Sequence, residues 1–267
     1  MNSNFDISSK RKLLYKRKRK RQLIFKIYIV LLTISILSLI LLLNKSTPVN
    51  KKVISSSNSL DNKIIICIDP GHGDFDTGAK SSSGIFEKDI VLEISLKLGK
   101  LLEENDIKVI YTRTNDSLPW LETANDSLKE RIRISKAFKA DIFISIHCNS
   151  NYDDISAKGI ETWYKPNDES SKNLALILQT SLSNLNSTID RGIKTYDNKD
   201  DALAVLELNE SISALVELGF LSNTYDEKYL NSDKGKEAFA KSIKDGLLNY
   251  IESNKDIIIK KRSNKAI

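Results

Sequence analysis

The chain has 267 residues with a formal net charge of +6, a length that suits one medium-sized domain with appended segments. Residues 1–26 carry a net charge of +9, which leaves −3 for residues 27–267. The positive charge is therefore terminal, and this argues against a nucleic-acid-binding face on the folded domain. Two cysteines in a chain of this length exclude a scaffold built from disulfides.

The N-terminal region combines a basic run with an apolar run. Residues 16–21 are all Lys or Arg, and no charged residue occurs in residues 27–43. An apolar run of this length, behind positive charge, predicts a membrane-spanning helix with its N-terminus in the cytoplasm. A cleavable signal peptide is the alternative, but residues 44–48 lack a small-residue cleavage site. We therefore expect a single-pass protein of the cell membrane whose remaining chain lies on the extracytoplasmic side.

These patterns divide the chain into five segments. Residues 1–22 form the basic cytoplasmic segment, and residues 23–43 form the uncleaved signal-anchor transmembrane helix. Residues 44–62 are rich in Ser, Asn and Lys and predict a flexible linker. The folded domain is expected over residues 63–253. Residues 254–267 form a basic tail with little core material, which we expect to be unstructured or weakly packed.

Strand and helix patterns alternate along the domain. The first is the apolar run of residues 64–68, which Asp69-Pro70-Gly71 ends because proline cannot continue a strand ladder. Such alternation predicts an α/β fold, a single three-layer domain with a mostly parallel sheet and helices on both faces. Predicted strands cover residues 64–68, 107–112, 141–146, 159–164 and 214–216, and predicted helices cover residues 90–102, 128–138, 174–182 and 239–250.

The only two histidines of the chain, His72 and His147, each follow a predicted buried strand. In open α/β sheets the carboxyl ends of the strands form the edge at which ligands bind. Neutral imidazole is a preferred zinc ligand, and a catalytic zinc usually has three protein ligands. With no other histidine available, a third ligand would be a carboxylate. Each histidine could also be an ordinary loop residue.

Two carboxylates could serve such a site. Glu87 lies at the start of a predicted helix, where it could bind a metal or simply interact with the helix dipole. Glu217 ends a short apolar strand, where it could be a solvated acid. Partial burial among apolar neighbours would instead raise its pKa toward the range of a general acid or base. The spacing of the residues leaves these alternatives open.

Six short motifs occur in order along the domain: Asp69-Pro70-Gly71-His72-Gly73, Glu87-Lys88, Thr112-Arg113, Ser145-Ile146-His147-Cys148-Asn149, Gly159-Ile160-Glu161 and Leu215-Val216-Glu217-Leu218-Gly219-Phe220-Leu221-Ser222-Asn223. Together, in this order, they resemble the zinc-dependent N-acetylmuramoyl-L-alanine amidases of the amidase-3 type. The resemblance implies that His72, Glu87 and His147 bind Zn²⁺ and that Glu217 is the catalytic acid/base. Asp74 and Cys148 depart from the family pattern, and Cys148 leaves open a thiolate ligand or sensitivity to oxidation.

The resemblance also implies a substrate and partners. The expected reaction is hydrolysis of the amide between N-acetylmuramic acid and L-alanine in peptidoglycan. Only residues 148–158 separate His147 from Gly159, which leaves no room for the inhibitory helix that some relatives carry there. A short chain with a signal anchor and a bare catalytic domain resembles the spore-cortex amidases of the CwlD type. Expected partners are peptidoglycan, the membrane through the N-terminal helix and an activator protein, but no nucleic acid. The alternatives are a zinc peptidase acting within the stem peptide, and an inactive wall-binding protein with the same fold.

Overall fold

The computed structural model describes residues 63–118 and 123–264. The predicted signal anchor at residues 23–43, with the basic segment and linker on either side of it, lies outside the described residues. Among the helices that are described, none combines the length and the apolar character needed to cross a bilayer.

The described chain forms one six-stranded sheet with the strand order β2-β1-β3-β6-β4-β5. Every neighbouring pair is parallel except β4 and β6, which are antiparallel. The sheet is therefore mixed, with four parallel strands and a reversed pair at one edge. The strands are β1 (Ile65–Pro70), β2 (Lys108–Tyr111), β3 (Ile142–Asn149), β4 (Ile160–Tyr164), β5 (Asp190–Lys194) and β6 (Ile212–Phe220).

Helices cover both faces of the sheet, as the alternation predicted. Side chains alternate between the faces along each strand, so Ile66 and Ile68 join the larger core while Cys67 joins a smaller one. Helices α1, α3 and α6 pack on the larger core, and α2 and α4 on the smaller. The helices are α1 (Glu87–Glu103), α2 (Ala124–Ala137), α3 (Glu169–Ser183), α4 (Ala204–Glu207), α5 (Thr224–Leu230) and α6 (Asp233–Asn264).

Three elements were missing from the sequence prediction: the edge strand β5 and the short helices α4 and α5. Strand β5 starts with the exposed residues Asp190 and Arg191 and contains Gly192, so it shows no apolar alternation. It forms only because β4 supplies hydrogen-bonding partners along its backbone. Such an edge strand carries no signal of its own in the sequence.

The expectation of an unstructured or weakly packed tail after Ser253 is wrong as far as Asn264. Helix α6 bends at Asn254 and then continues. Ile258 is buried, and Arg262 donates through Nε to Asp141 Oδ1 at 2.8 Å. A segment with few apolar residues therefore packs because its charged side chains find partners on the folded domain.

Candidate metal centre

The loop after β1 carries His72 past the carboxyl end of the sheet in a left-handed backbone conformation. His72 has φ 59° and Gly73 has φ 130°, and the first is unfavourable for a residue with a side chain. Two buried arginines hold this loop by its carbonyl groups. Arg131 donates to the carbonyls of residues 70 and 72, and Arg113 donates to those of residues 70 and 71, at 2.5–3.0 Å. The loop geometry is thus imposed by buried donors.

A buried carboxylate connects Arg131 to the sheet. Asp69 accepts hydrogen bonds from Thr112 at 2.6 Å, Ser145 at 2.7 Å and Arg131 at 2.6 Å. Burial raises the pKa of Asp69, but the Arg131 charge and the three donors lower it by a larger amount, so the pKa lies below its usual value. Asp69 therefore stays ionised and fixes the guanidinium that supports the histidine loop.

His72, Glu87 and His147 meet at this edge of the sheet. Glu87 Oε1 lies 3.2 Å from His72 Nε2 and 3.0 Å from His147 Nδ1, and the three donor groups lie within 4.8 Å of one another. The backbone N–H groups of Cys148 and Ala79 also donate to Glu87, at 2.9 and 2.8 Å. Two imidazoles and a carboxylate fit the ligand set of a catalytic zinc.

Two glycines make room for this cluster. A Cβ atom on Gly71 would lie 2.3 Å from His147 Cε1, and one on Gly78 would lie 2.5 Å from Glu87 Oε2. Both distances are far shorter than van der Waals contact. Backbone and ligand side chains can approach this closely only where no side chain intervenes.

Asp76 orients the first histidine. Its Oδ1 lies 2.9 Å from His72 Nδ1, which turns Nε2 toward Glu87. Burial opposes protonation of His72, but the hydrogen bonds to Asp76 and Glu87 outweigh it and raise its pKa to about 10. For Glu87, burial raises the pKa, but the two imidazoles outweigh it and bring the pKa well below its usual range. The carboxylate thus favours a cation beside it, and a metal ion would take the place of the proton.

Glu217 lies beside the cluster, within β6 rather than at the end of a short strand. It is the register partner of His147 on β3 and of Glu161 on β4, so all three side chains point to one face of the sheet. Its Oε2 is shielded from solvent and has no hydrogen-bond partner among the described residues. Burial, followed by the charges of Glu87 and Glu161, raises the pKa of Glu217 well above its usual value. That direction is the one expected from the sequence.

Cys148 lies outside the donor cluster. Its side chain belongs to the larger core, on the face opposite His147, and only 3% of the residue is exposed. Burial also raises the pKa of Cys148 well above its usual value, which disfavours a thiolate. The geometry therefore gives no support to Cys148 as a further ligand, and both cysteines are free thiols.

A family model described as N-acetylmuramoyl-L-alanine amidase (Amidase_3) matches residues 66–249. The chain belongs to this family. The match covers all six strands of the sheet apart from the first residue of β1, and it includes the four residues implied by the resemblance. The family suggested by the sequence motifs is thereby confirmed.

Individual members of the amidase family are similar to this chain in sequence. The chain is 34% identical to N-acetylmuramoyl-L-alanine amidase LytC of Bacillus subtilis over 215 residues, which cover 79% of this chain and 40% of LytC. It is 28% identical to the germination-specific amidase of B. subtilis, over 72% of this chain and 81% of that protein. The chain thus spans less than half the length of LytC.

A solved structure in the amidase family is similar to this chain in fold and sequence. The CwlD amidase from Clostridioides difficile, in complex with the GerS lipoprotein, superposes with a TM-score of 0.64 at 32% identity. The match covers 72% of this chain and all of that chain.

The supporting residues Asp76 and Arg131 were not identified from the sequence. Asp76 lies four residues after His72, and that spacing is the one local signal that could have suggested a partner. Arg131 lies 59 residues from the carbonyl that it contacts, on a different element, and no local pattern connects the two.

Proposed function

We propose that this protein is a zinc-dependent hydrolase that cleaves the amide between N-acetylmuramic acid and L-alanine in bacterial peptidoglycan. One observation carries the proposal: three donor groups lie within 4.8 Å of one another, with Glu217 in register beside His147. Family membership supports the identity of the bond that is cleaved. The residues alone support only metal-assisted hydrolysis of an amide.

The ligands in this proposal are His72 through Nε2, His147 through Nδ1, and a carboxylate oxygen of Glu87. When bound, zinc supplies Lewis-acid chemistry that polarises a carbonyl and makes water more acidic. Asp76 holds the His72 ring in place by its bond to Nδ1. Arg131 and Arg113 hold the loop backbone, so the ligands need little rearrangement when the ion binds.

Glu217 is proposed as the proton carrier. Its Oε2 accepts the proton from the attacking water as the new C–O bond forms. It then gives a proton to the leaving amide nitrogen as the C–N bond breaks, so the carboxylate is regenerated. The absence of a hydrogen-bond partner for Oε2 among the described residues supports this role, because the oxygen is not committed to a structural contact.

A cavity of about 330 Å³ adjoins the two histidines and supports a substrate site there. Its lining combines polar residues, among them Arg131, with apolar residues, most of which belong to the smaller core. We propose that the apolar part of this lining receives the methyl-bearing lactyl and alanyl groups on either side of the scissile amide. Its apolar lining residues are Leu128, Ala202, Leu203, Ala204, Val205 and Leu215.

The cellular setting is part of the proposal. We infer that residues 23–43 anchor the protein in the cell membrane, with the domain of residues 63–253 on the extracytoplasmic side; the apolar run behind positive charge supports this. Similarity to a germination-specific amidase supports a role in the spore cortex. The complex of CwlD with a lipoprotein supports an activator as a further partner. Surface proteolysis of intact cells, with and without deletion of residues 1–43, tests the location.

Digestion of purified peptidoglycan by the full-length chain tests the reaction. Mass spectrometry should find free stem peptides with an L-alanine amino terminus. Cleavage between stem residues would instead identify a peptidase, and an unchanged digest would identify a binding protein. Glu217→Gln should retain zinc, and its turnover rate should fall about 10²–10⁴-fold. Loss of zinc together with activity would make Glu217 a ligand, and near-normal turnover would overturn its proposed role.

A further inference from the structure

Arg191 on the edge strand β5 is held in place from three sides. Its Nε donates to Glu161 Oε2 at 2.7 Å, and its guanidinium lies 4.9 Å from the centre of the Phe220 ring. Gly159 makes room for the side-chain stem, because a Cβ there would lie 2.7 Å from Arg191 Cγ and Cδ. A surface arginine is rarely restrained in this way, since it usually keeps its rotamer freedom.

The outer edge of this guanidinium is only weakly engaged. The side chain is 37% exposed, Nη1 donates a long hydrogen bond of 3.5 Å to the Lys158 carbonyl, and Nη2 has no partner among the described residues. Both carboxylate oxygens of Glu161 already accept hydrogen bonds, Oε2 from Arg191 and Oε1 from Asn149 and Trp163. One N–H of Nη1 and both of Nη2 thus have no partner among the described residues. A fixed guanidinium of this kind is well suited to bind a second carboxylate through two parallel hydrogen bonds.

Arg191 also lies at a useful distance from the proposed reaction centre. Glu161, its partner, is the register neighbour of Glu217, so the ion pair shares the face that carries the site. Strands lie about 4.8 Å apart, which places β5 about 10 Å from β6 across β4. An extended peptide advances about 3.3–3.6 Å per residue, so two to three residues beyond the cleaved bond span a similar length.

We propose that Arg191 is a specificity-determining residue that binds the free carboxylate of the acidic residue following L-alanine in the stem peptide. The inference rests on the proposed function, because the length of peptide that reaches Arg191 is counted from the bond that is cleaved at the metal centre. It assigns the stem peptide, rather than the glycan, to the side of the site formed by β4 and β5. A structural role would account for the bonds to Glu161 and to the Lys158 carbonyl, but it gives no role to Nη2, which has no partner among the described residues.

Two synthetic substrates test this assignment in the full-length chain. They are N-acetylmuramyl-L-alanyl-D-glutamate and its D-isoglutamine form, in which an amide replaces the carboxylate next to the peptide bond. The wild type should have a KM about tenfold lower for the acid, the scale expected of hydrogen bonds to a charged group. Arg191→Gln should remove this preference by raising the KM for the acid. Arg191→Lys keeps the charge beside Glu161 and should retain part of the preference.

The controls separate recognition from stability. Arg133→Gln removes an exposed arginine from α2, where it pairs with Glu130, and should leave the ratio of the two KM values unchanged. Zinc content should be equal in all variants. Loss of activity that is equal for both substrates in Arg191→Gln and Arg191→Lys would show a structural role and overturn the proposal. An unchanged preference would overturn it as well.

A binding measurement keeps the inference separate from the proposed function. Titration of the full-length chain with L-alanyl-D-glutamate, followed by NMR, should show affinity about tenfold above that for L-alanyl-D-isoglutamine. Arg191→Gln should abolish the difference. If the wild type binds the acid selectively but cleaves neither substrate, the proposed reaction fails and the role of Arg191 stands. Equal affinity for both dipeptides in the wild type would refute the role of Arg191, whatever the activity.

Discussion

Replacing Arg131 with glutamine should destabilise the protein by about 3 kcal/mol at neutral pH. Arg131 and Asp69 are 4% and 1% exposed, and the Nη1–Oδ1 distance between them is 2.6 Å. Removing one partner of a buried ion pair costs about 3–5 kcal/mol, because the other charge stays buried without compensation. Thr112 and Ser145 still donate to Asp69, which places the expected loss at the lower end.

The pH dependence of this loss provides a second measurement. The pKa of Asp69 lies below its usual value, so its stabilising contribution is present above the unfolded-state pKa of about 3.9 and is lost as pH falls through the lower folded-state value. Without Arg131, burial should raise that pKa, and protonation then relieves the unpaired charge. The stability difference between wild type and variant should therefore be largest near pH 7 and shrink toward pH 4.

Urea unfolding of the full-length chain, followed by circular dichroism at pH 7 and pH 4, measures both effects. Arg133→Gln on the same helix is the matched control and should change stability little, since Arg133 is exposed and pairs with Glu130. Zinc affinity should also fall in Arg131→Gln, because the His72 carbonyl loses its donor. A destabilisation below about 1 kcal/mol, or one that is equal at both pH values, would refute Arg131 as the counterion of Asp69.

Three further variants test the supporting structure. Asp76→Asn should weaken zinc binding about 10–100-fold, measured by competition with a chelator, because the partner of the metal-binding imidazole loses its charge; unchanged affinity would contradict the orienting role. Gly71→Ala should lose zinc while circular dichroism still reports a folded chain, since its Cβ would lie 2.3 Å from His147 Cε1; full zinc occupancy would show that the ring can move aside. Arg262→Gln should lower the free energy of unfolding by about 3 kcal/mol, and the urea midpoint with it, because it breaks a largely buried pair with Asp141. An unchanged midpoint would show that the end of α6 adds no stability.

The sequence predicted the parts of the site that depend on local pattern. The apolar run before Asp69-Pro70-Gly71 gives a buried strand whose end must release the chain into a loop, so the position of His72 follows from adjacent residues. The same reasoning places His147 near the end of another buried strand. Parallel strands present their carboxyl ends at one edge, and the histidines were therefore expected together, as the structure shows. Their roles as zinc ligands remain a prediction.

The sequence was less informative where a segment depends on partners far along the chain. The tail after Ser253 has few apolar residues and suggested weak packing, yet Lys261 pairs with Asp168 and Arg262 with Asp141. Strand β5 likewise has no signal of its own and exists because β4 provides backbone partners. In both cases the stabilising contact joins residues separated by many positions, and composition within a window cannot reveal it.

The amino-acid sequence by itself determined the fold class, the strands that carry the histidines and the family, because these follow from hydrophobic periodicity and short motifs. Only the tertiary structure decided how the site is supported. It brought Arg131 to the carbonyl of His72, and it placed Glu217 between His147 and Glu161. One carboxylate oxygen of Glu217 has no hydrogen-bond partner in the part of the chain that the structure describes. The physical reason is that periodicity reports burial, whereas hydrogen bonds and charge pairs between distant elements depend on how strands and helices are arranged after folding.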